Sequence, residues 1–373
     1  MDKKGNGTVK DLIYWIWFMS LEKISIKQKN MLLEQFESPE VIFSLSSEAL
    51  AKTKIIDQKT LNYFFKVRSL DKAKYDLSYM EKNNIQLIPR CDPEFPESLA
   101  NLYVPPLGLY AKGNLSLLQA PLTIGIIGSR NPTVAGEKYA KLFSRSLSSV
   151  GVTIVSGLAD GIDGKSHWGS VNELGGTIGV LGTGLDICYP RVNKKLFELM
   201  AEKALIITEF NLGEKPLPYH FPQRNRIISG LSQGVLVIEA RTKSGSLITV
   251  NHALEQGKNI YVIPGDIGGT KWAGGNQLLK EGAKLVTNPN DILEDYIVFD
   301  QTVNQQNESA EQSALKMATP DEQLLFDLIQ KGYHTIDELV ACSGLPINKV
   351  NSLLTMMEIA EIILIKYGNI VLI

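Results

Sequence analysis

Between residues 122 and 287 the sequence repeats one pattern that leaves few folds open. A short apolar run, rich in β-branched residues, ends in a loop of Gly, Ser or Thr, and a stretch with helical spacing follows. The runs are 122–127, 152–155, 177–181, 205–208, 235–239, 259–263 and 284–287. Most are apolar at successive positions, as strands covered on both faces must be, and the helical stretches between them are of the length a βαβ crossover needs. The expectation is an α/β fold: an open, twisted, doubly wound, mostly parallel sheet with helices on both faces.

The flanks differ. Residues from 8 to about 80 carry apolar positions at helical spacing, as in "QKNMLLEQF" and "NYFFKVRSLDKAKYDL", and predict a small all-helical domain. The Pro-rich stretch at 91–115 reads as an extended connector laid against the sheet domain. Residues 300–319 are dominated by Gln, Asn, Ser and Glu and read as a flexible linker. Helices over 321–331, 336–342 and 347–360, followed by a hairpin turning at Tyr367-Gly368-Asn369, suggest a winged helix. The expected domains are thus 1–84, 85–297 and 320–373, with a linker at 298–319.

Composition removes several function classes. The three cysteines, Cys91, Cys188 and Cys342, are too far apart for a disulfide framework or a metal motif, and the four histidines include no i, i+4 pair. No metal and no cofactor are expected. The apolar stretch 12–21 is about half a membrane span and lacks a signal-peptide cleavage pattern, so no membrane contact and a cytoplasmic location are expected. A formal net charge of −2 does not announce a nucleic-acid binder; any such surface has to come from clustering.

Clustering is what the loops show. In open α/β sheets ligands gather at the carboxyl ends of the strands. The segments there are "GSRNP" (128–132), "SGLADGID" (156–163), "GTGLDICYPRVN" (182–193), "EARTKSGSLIT" (239–249) and "PGDIGGTKWAGGN" (264–276). Each leads towards a helix N-terminus, where free N–H groups favour anions. Arg130, Arg191, Lys194, Lys195, Arg224, Arg226, Arg241, Lys243 and Lys271 sit in or beside these segments, a basic track in a nearly neutral chain. In "PLPYHFPQRNRIISGLS" (216–232) Tyr219, His220 and Phe221 stand just before Arg224 and Arg226. Cations along a groove with aromatic faces between them suit single-stranded nucleic acid.

Structural roles compete with these readings. Arg130 could form a salt bridge with Asp186 or Glu239, and Glu239 could pair with an arginine of the track. Phe221 could belong to the core, and Arg224 and Arg226 could clamp their loop to the sheet. Lys194 and Lys195 could be a solvated helix face. Asp163 fits a helix N-cap as well as a functional carboxylate, and His167 fits a hydrogen bond to the neighbouring loop.

The segments "CDPEFPESL…PPLGLYAKGNL", "IGIIGSR", "SGLADGID…H", "GTGLDICYPRVN", "FPQRNRIISGLS", "IEARTKSGSLIT…ALEQGKNIYVIPG" and "GGNQLLKEGAKLV", in that order over about 85–295, closely resemble the DprA (Smf) family of bacterial DNA-processing proteins of natural transformation. The resemblance implies an extended Rossmann-like domain that binds single-stranded DNA, a helical domain of SAM or helix-hairpin-helix type in front and a winged helix behind. It further implies a homodimer formed through the Rossmann-like domain, with RecA recombinase as a partner loaded onto the strand. It makes Arg130 a phosphate contact and Phe221 the base-pocket aromatic. The candidate single-stranded DNA contacts are Gly128, Ser129, Arg130, Gly157, Arg191, Asn193, Lys194, Phe221, Arg224, Asn225, Arg226, Lys243, Ser244, Gly245 and Ser246. The chain departs from many relatives in three places. "SLEKISIKQKN" lacks a glycine-containing hairpin, Asp160 follows "GLA" where a basic residue is common, and Pro218 stands where some carry Lys.

An enzyme reading competes with this one. Phosphoribohydrolases on similar folds carry Pro-Gly-Gly-x-Gly-Thr-x-x-Glu with a catalytic Glu, whereas this chain has "EARTKSGSLIT" after the comparable strand. The sequence therefore predicts a binding protein without catalysis. The third winged-helix helix, "INKVNSLLTMMEIA", carries one Lys and favours protein contact, with Met356, Met357 and Ile359 as surface or core.

Overall fold

A computed structural model describes residues 9–296, 320–330, 333, 335–359, 363–366 and 369–372. The expected linker at 298–319, and Tyr367 and Gly368 of the expected turn, lie outside them. The chain divides into two compact units, Met1–Asp300 and Gln301–Ile373.

The first unit opens with six helices: α1 (Val9–Met19), α2 (Ile26–Phe36), α3 (Pro39–Ser44), α4 (Ser47–Lys52), α5 (Gln58–Lys66) and α6 (Asp71–Lys82). Helix α1 is apolar nearly all round, so it is wrapped on all sides: Trp15, Ile16, Trp17 and Phe18 are all buried. The Trp17 ring meets Phe43 and Phe64 edge-on, at 4.8 and 5.5 Å.

The sheet follows. Its strands are β1 (Gln86–Pro89), β2 (Gly108–Gly113), β3 (Thr123–Gly128), β4 (Thr153–Ser156), β5 (Thr177–Val180), β6 (Leu205–Thr208), β7 (Gly234–Ile238), β8 (Asn259–Val262) and β9 (Lys284–Leu285). They lie in the order β1-β2-β6-β5-β4-β3-β7-β8-β9. From β6 to β9 every pairing is parallel; β2 pairs antiparallel with both β1 and β6. The stretch 91–115 is thus not merely a connector. It holds a short helix, α7 (Glu97–Ala100), and a strand built into the sheet. The two prolines at 105–106 mask that strand in the sequence, although Gly108, Leu109, Tyr110 and Ala111 directly after them are all buried.

Crossover helices are α8 (Val134–Ser149), α9 (Ile162–Ser170), α10 (Lys194–Lys203), α11 (His220–Leu231), α12 (Ser246–Glu255) and α13 (Ala273–Lys280); α14 (Asn290–Leu293) closes the unit. Neighbouring residues of one strand serve opposite layers, as the pleat requires. Ile124 and Ile126 of β3 pack with Phe143 and Leu147 of α8, while Ile127 packs with Ile227 of α11 and Val250 of α12.

A third core joins the front helices to the sheet. Leu32, Leu61 and Phe64 share it with Leu87, Tyr110, Met200 and Ile206. A chain of polar contacts, crossing at Asn211 and Met19, ties the same seam. The Met19 carbonyl accepts from Lys29 Nζ at 2.7 Å and from Asn211 Nδ2 at 3.3 Å, and the Tyr110 hydroxyl donates to Asn211 Oδ1 at 3.1 Å. Burial lowers the Lys29 ammonium to about 8, opposed by Glu214, Glu209 and Glu22.

The second unit has α15 (Pro320–Gln330), α16 (Ile336–Ser343), α17 (Ile347–Ile359) and an antiparallel pair, β10 (Ile363–Lys366) and β11 (Asn369–Leu372). This is the winged-helix arrangement. Its core holds Leu325, Leu339, Val350, Leu354, Ile363 and Ile370, and Met357 with them, so Met357 is core and not surface. The Met356 and Ile359 side chains lie outside the described residues.

Candidate nucleic-acid interface

The strand order reverses at β3. From there the chain builds β4, β5 and β6 on one side and returns with β7 on the other. Loops leaving β3 and β7 therefore part company at their carboxyl ends, and a crevice opens between them. It is a groove of about 710 Å³. Gly128, Ser129, Arg130, Phe221, Arg224, Asn225, Lys243, Ser244, Gly245 and Ser246 line it, ten of the sequence-expected residues brought together from three segments.

The backbone at the head of the groove is tightly fitted. A Cβ on Gly128 would lie 1.9 Å from the Ile238 carbonyl oxygen, so only glycine allows β3 and β7 to end side by side. Gly161 has φ +80°, and a Cβ there would lie 2.3 Å from the Ser129 carbonyl oxygen. The loops after β3 and β4 thus touch backbone to backbone, joined by the Ile162 N–H to the Ser129 carbonyl at 3.1 Å.

Beneath the groove lie two buried groups of opposite charge, Arg224 and Asp163. Arg224 is 3% exposed; its Nη1 donates to the Gly157 carbonyl at 2.7 Å and to the Val180 carbonyl, tying the ends of β4 and β5. Asp163 accepts from the Gly157 N–H at 3.1 Å. Burial raises the Asp163 carboxyl, opposed by Arg224 and the N–H groups of Gly157 and Ala159. Burial likewise lowers Arg224 to about 10, opposed by Asp163, so the guanidinium stays charged at neutral pH. A Cβ on Gly157 would strike both partners, at 2.5 and 2.6 Å, which gives this glycine its place. Asp163 is not the N-cap of α9; Gly161 is.

Several expectations change here. Arg224 is a buried clamp, not a presented cation. Arg226 lies outside the groove lining, its Nη2 on Glu209 Oε2 at 2.6 Å, because α11 turns that side chain away from its groove face. Asn193 donates to the Leu158 and Ala159 carbonyls, both at 3.0 Å, and so holds two loops together. Lys194 is a solvated helix position 3.7 Å from Glu198, and Arg191 is exposed on a 3-10 turn (Arg191–Asn193); neither lines the groove. Glu239 pairs with no arginine of the track: it is buried and accepts from the Thr133 N–H at 3.0 Å and from its hydroxyl. The carboxylate thereby occupies the N-terminus of α8 and removes it as an anion site. The N-terminus of α12 has Gly245 as its cap, and its first N–H groups are met locally, that of Ser246 by Ser244 Oγ at 3.3 Å and that of Leu247 by the Ser244 carbonyl at 3.1 Å.

What remains exposed is cationic and aromatic. Arg130, Arg241 and Lys243 are exposed on the groove wall. Among the described residues Arg130 makes no salt bridge; its guanidinium lies 5.3 Å over the Phe221 ring. Phe221 is only half-buried, so it is not core. A second ring, Tyr189, stands 5.6 Å from it at 38°. Sequence reasoning missed Tyr189; the available signal was an aromatic directly before Pro190 in a Gly-rich loop. Helix α11 opens with neighbours facing opposite ways, for His220 stacks on Phe210 at 4.1 Å, away from the groove.

His167 supports the loop after β4 from below. Its Nε2 accepts from the Leu158 N–H at 3.3 Å, so Nδ1 carries the proton and donates to Thr177 Oγ1 at 2.7 Å. Burial lowers it to about 3. The unfolded chain therefore binds a proton near pH 6.5 that the folded chain refuses, and stability falls as pH drops from about 6.5 towards 3. The expected slope from this group is about 1.4 kcal/mol per pH unit. Urea midpoints between pH 7 and 5 check it: a His167→Gln variant should start lower and decline less steeply, and parallel declines would refute the assignment.

Comparison with known proteins agrees with this architecture. Residues 86–297 match the family described as DNA recombination-mediator protein A. The chain belongs to that family, DprA/Smf. Residues 308–366 match the DprA winged helix domain. The chain is 42% identical to the DNA processing protein DprA of Bacillus subtilis, over 59% of this chain and 74% of that one. It is 43% identical to protein Smf of Escherichia coli, over 58% of each. The X-ray structure of DprA from Streptococcus pneumoniae aligns with TM-score 0.66 and 36% identity, covering 76% of this chain and 97% of that one. A Helicobacter pylori DprA structure, described for its single-stranded DNA binding mode, aligns with TM-score 0.53 and 29% identity, covering 57% and 95%. The DprA fold thus spans the sheet domain, and no helix among the described residues is long and apolar enough to cross a membrane.

Proposed function

We propose that this chain binds single-stranded DNA with little sequence preference, protects it and loads RecA recombinase onto it. The observation that carries the reading is the meeting of Arg130, Arg241 and Lys243 with the Tyr189–Phe221 ring pair in one groove. Cations steer and hold phosphates at any sequence, and rings stack on any base. Ser244, Gly245 and Ser246 add the loop that leads into α12 to the groove wall. Gly128, Gly157, Asn193 and Arg224 act by shaping and charging the groove from below. The role in transformation and the handover to RecA rest on the family, whose description is that of a recombination mediator. The function is binding, without catalysis of a covalent step.

A homodimer through the Rossmann-like domain belongs to the same proposal. The sheet ends at the two-residue strand β9, where Leu285 is 50% exposed, an edge open to pairing with a second copy.

Titration of fluorescent oligothymidine and of a duplex of equal length tests the reading. The single strand is expected to bind tighter. Phe221→Ala should weaken oligothymidine binding by about 1–3 kcal/mol with the salt slope unchanged. Equal affinity for duplex, or no complex in dilute buffer, would refute it.

A further inference from the structure

The groove contains an occupant of its own. Three groups surround the Phe221 ring. The Gly182 backbone lies against it, since a Cβ there would come within 2.9 Å of Phe221 Cδ1. Tyr189 stands 5.6 Å away, and the Arg130 guanidinium 5.3 Å. Gly182 is fixed backbone in a buried loop. Arg130 is different: a long, exposed side chain with no salt bridge among the described residues, on a loop whose backbone is pinned by Gly161. It is the charged neighbour of Phe221, and no salt bridge among the described residues holds it there.

We propose that Arg130 keeps the stacking place on Phe221 in the empty groove, and that a nucleobase of the bound strand takes this place as the guanidinium moves to an adjacent phosphate. The proposal rests on the single-strand reading above and deepens it. The exchange follows from the relative strengths. An exposed cation–π contact is worth about two- to fivefold in an equilibrium constant. A stacked base and a guanidinium–phosphate hydrogen bond are each worth more. The strand therefore gains both contacts and loses only the weaker one. Base and phosphate bind as one coupled unit, and Arg130 prevents the ring from lying bare between strands.

An abasic strand separates the two halves of the exchange. It offers phosphates and no bases, so wild-type protein must pull Arg130 off the ring with nothing to replace it. Phe221→Leu has no ring to leave. It is expected to bind a fluorescent abasic decamer about two- to fivefold tighter than wild type in anisotropy titrations, while binding oligothymidine more weakly. In an Arg130→Ala background the same substitution should leave abasic affinity unchanged. Thermal melts confirm folding of each variant, and Phe221→Met serves if Phe221→Leu melts early. Equal or weaker abasic binding by a folded variant overturns the exchange even where oligothymidine binds wild type well. Failure of wild type to bind oligothymidine at all removes the single-strand reading, and the exchange with it.

Discussion

Arg130→Ala is expected to lower affinity for oligothymidine roughly ten- to a hundredfold, the worth of a charge-assisted hydrogen bond to phosphate. It should also make the plot of log affinity against log salt shallower by about 0.7, the share of one phosphate on a single strand. Both effects come from one exposed guanidinium that no carboxylate of the described residues neutralises by a salt bridge. Melting should be unchanged, since the side chain carries no part of the core. Titrations at several salt concentrations read affinity and slope together. A variant with wild-type affinity and wild-type slope would show that phosphates are held elsewhere.

Arg224→Leu is expected to act through the fold instead. It strands Asp163 in a buried site and frees the Gly157 and Val180 carbonyls that the guanidinium holds. Leaving two buried carbonyls without a donor costs about 2–6 kcal/mol. Urea denaturation should show that loss, and oligothymidine binding should fall as a consequence. If the variant unfolds at the wild-type urea concentration yet binds weakly, Arg224 touches the strand directly and the clamp assignment is wrong.

The contrast between these two arginines shows what the sequence could and could not convey. The βα alternation was legible because apolar runs covered on both faces leave a strong local signature, and those runs fall on β3 to β9. β2 was hidden because its apolar residues follow directly on two prolines. The groove itself was legible as a set of loops, since topology alone sends the ends of parallel strands to one rim. The role of each cation was not. Arg224 and Arg226 are two positions apart on one helix, yet one enters the floor and the other meets Glu209, a residue 17 positions back in the chain. Such pairings depend on tertiary packing, which local sequence does not encode. Glu239 repeats the lesson: a carboxylate beside a basic track finds a helix end instead. Tyr189 carried a local signal, an aromatic before Pro190 in a Gly-rich loop, but its pairing with the Phe221 ring is made by tertiary packing.

The core shared by the front helices and the sheet has a further consequence. Leu87, Tyr110, Met200 and Ile206 have those helices as their roof. An amputation near residue 84 would bare a greasy slab, and the remnant would be expected to clump on expression. In this chain the front segment is therefore not a detachable accessory: whatever alters its helices is felt in the platform that carries the groove.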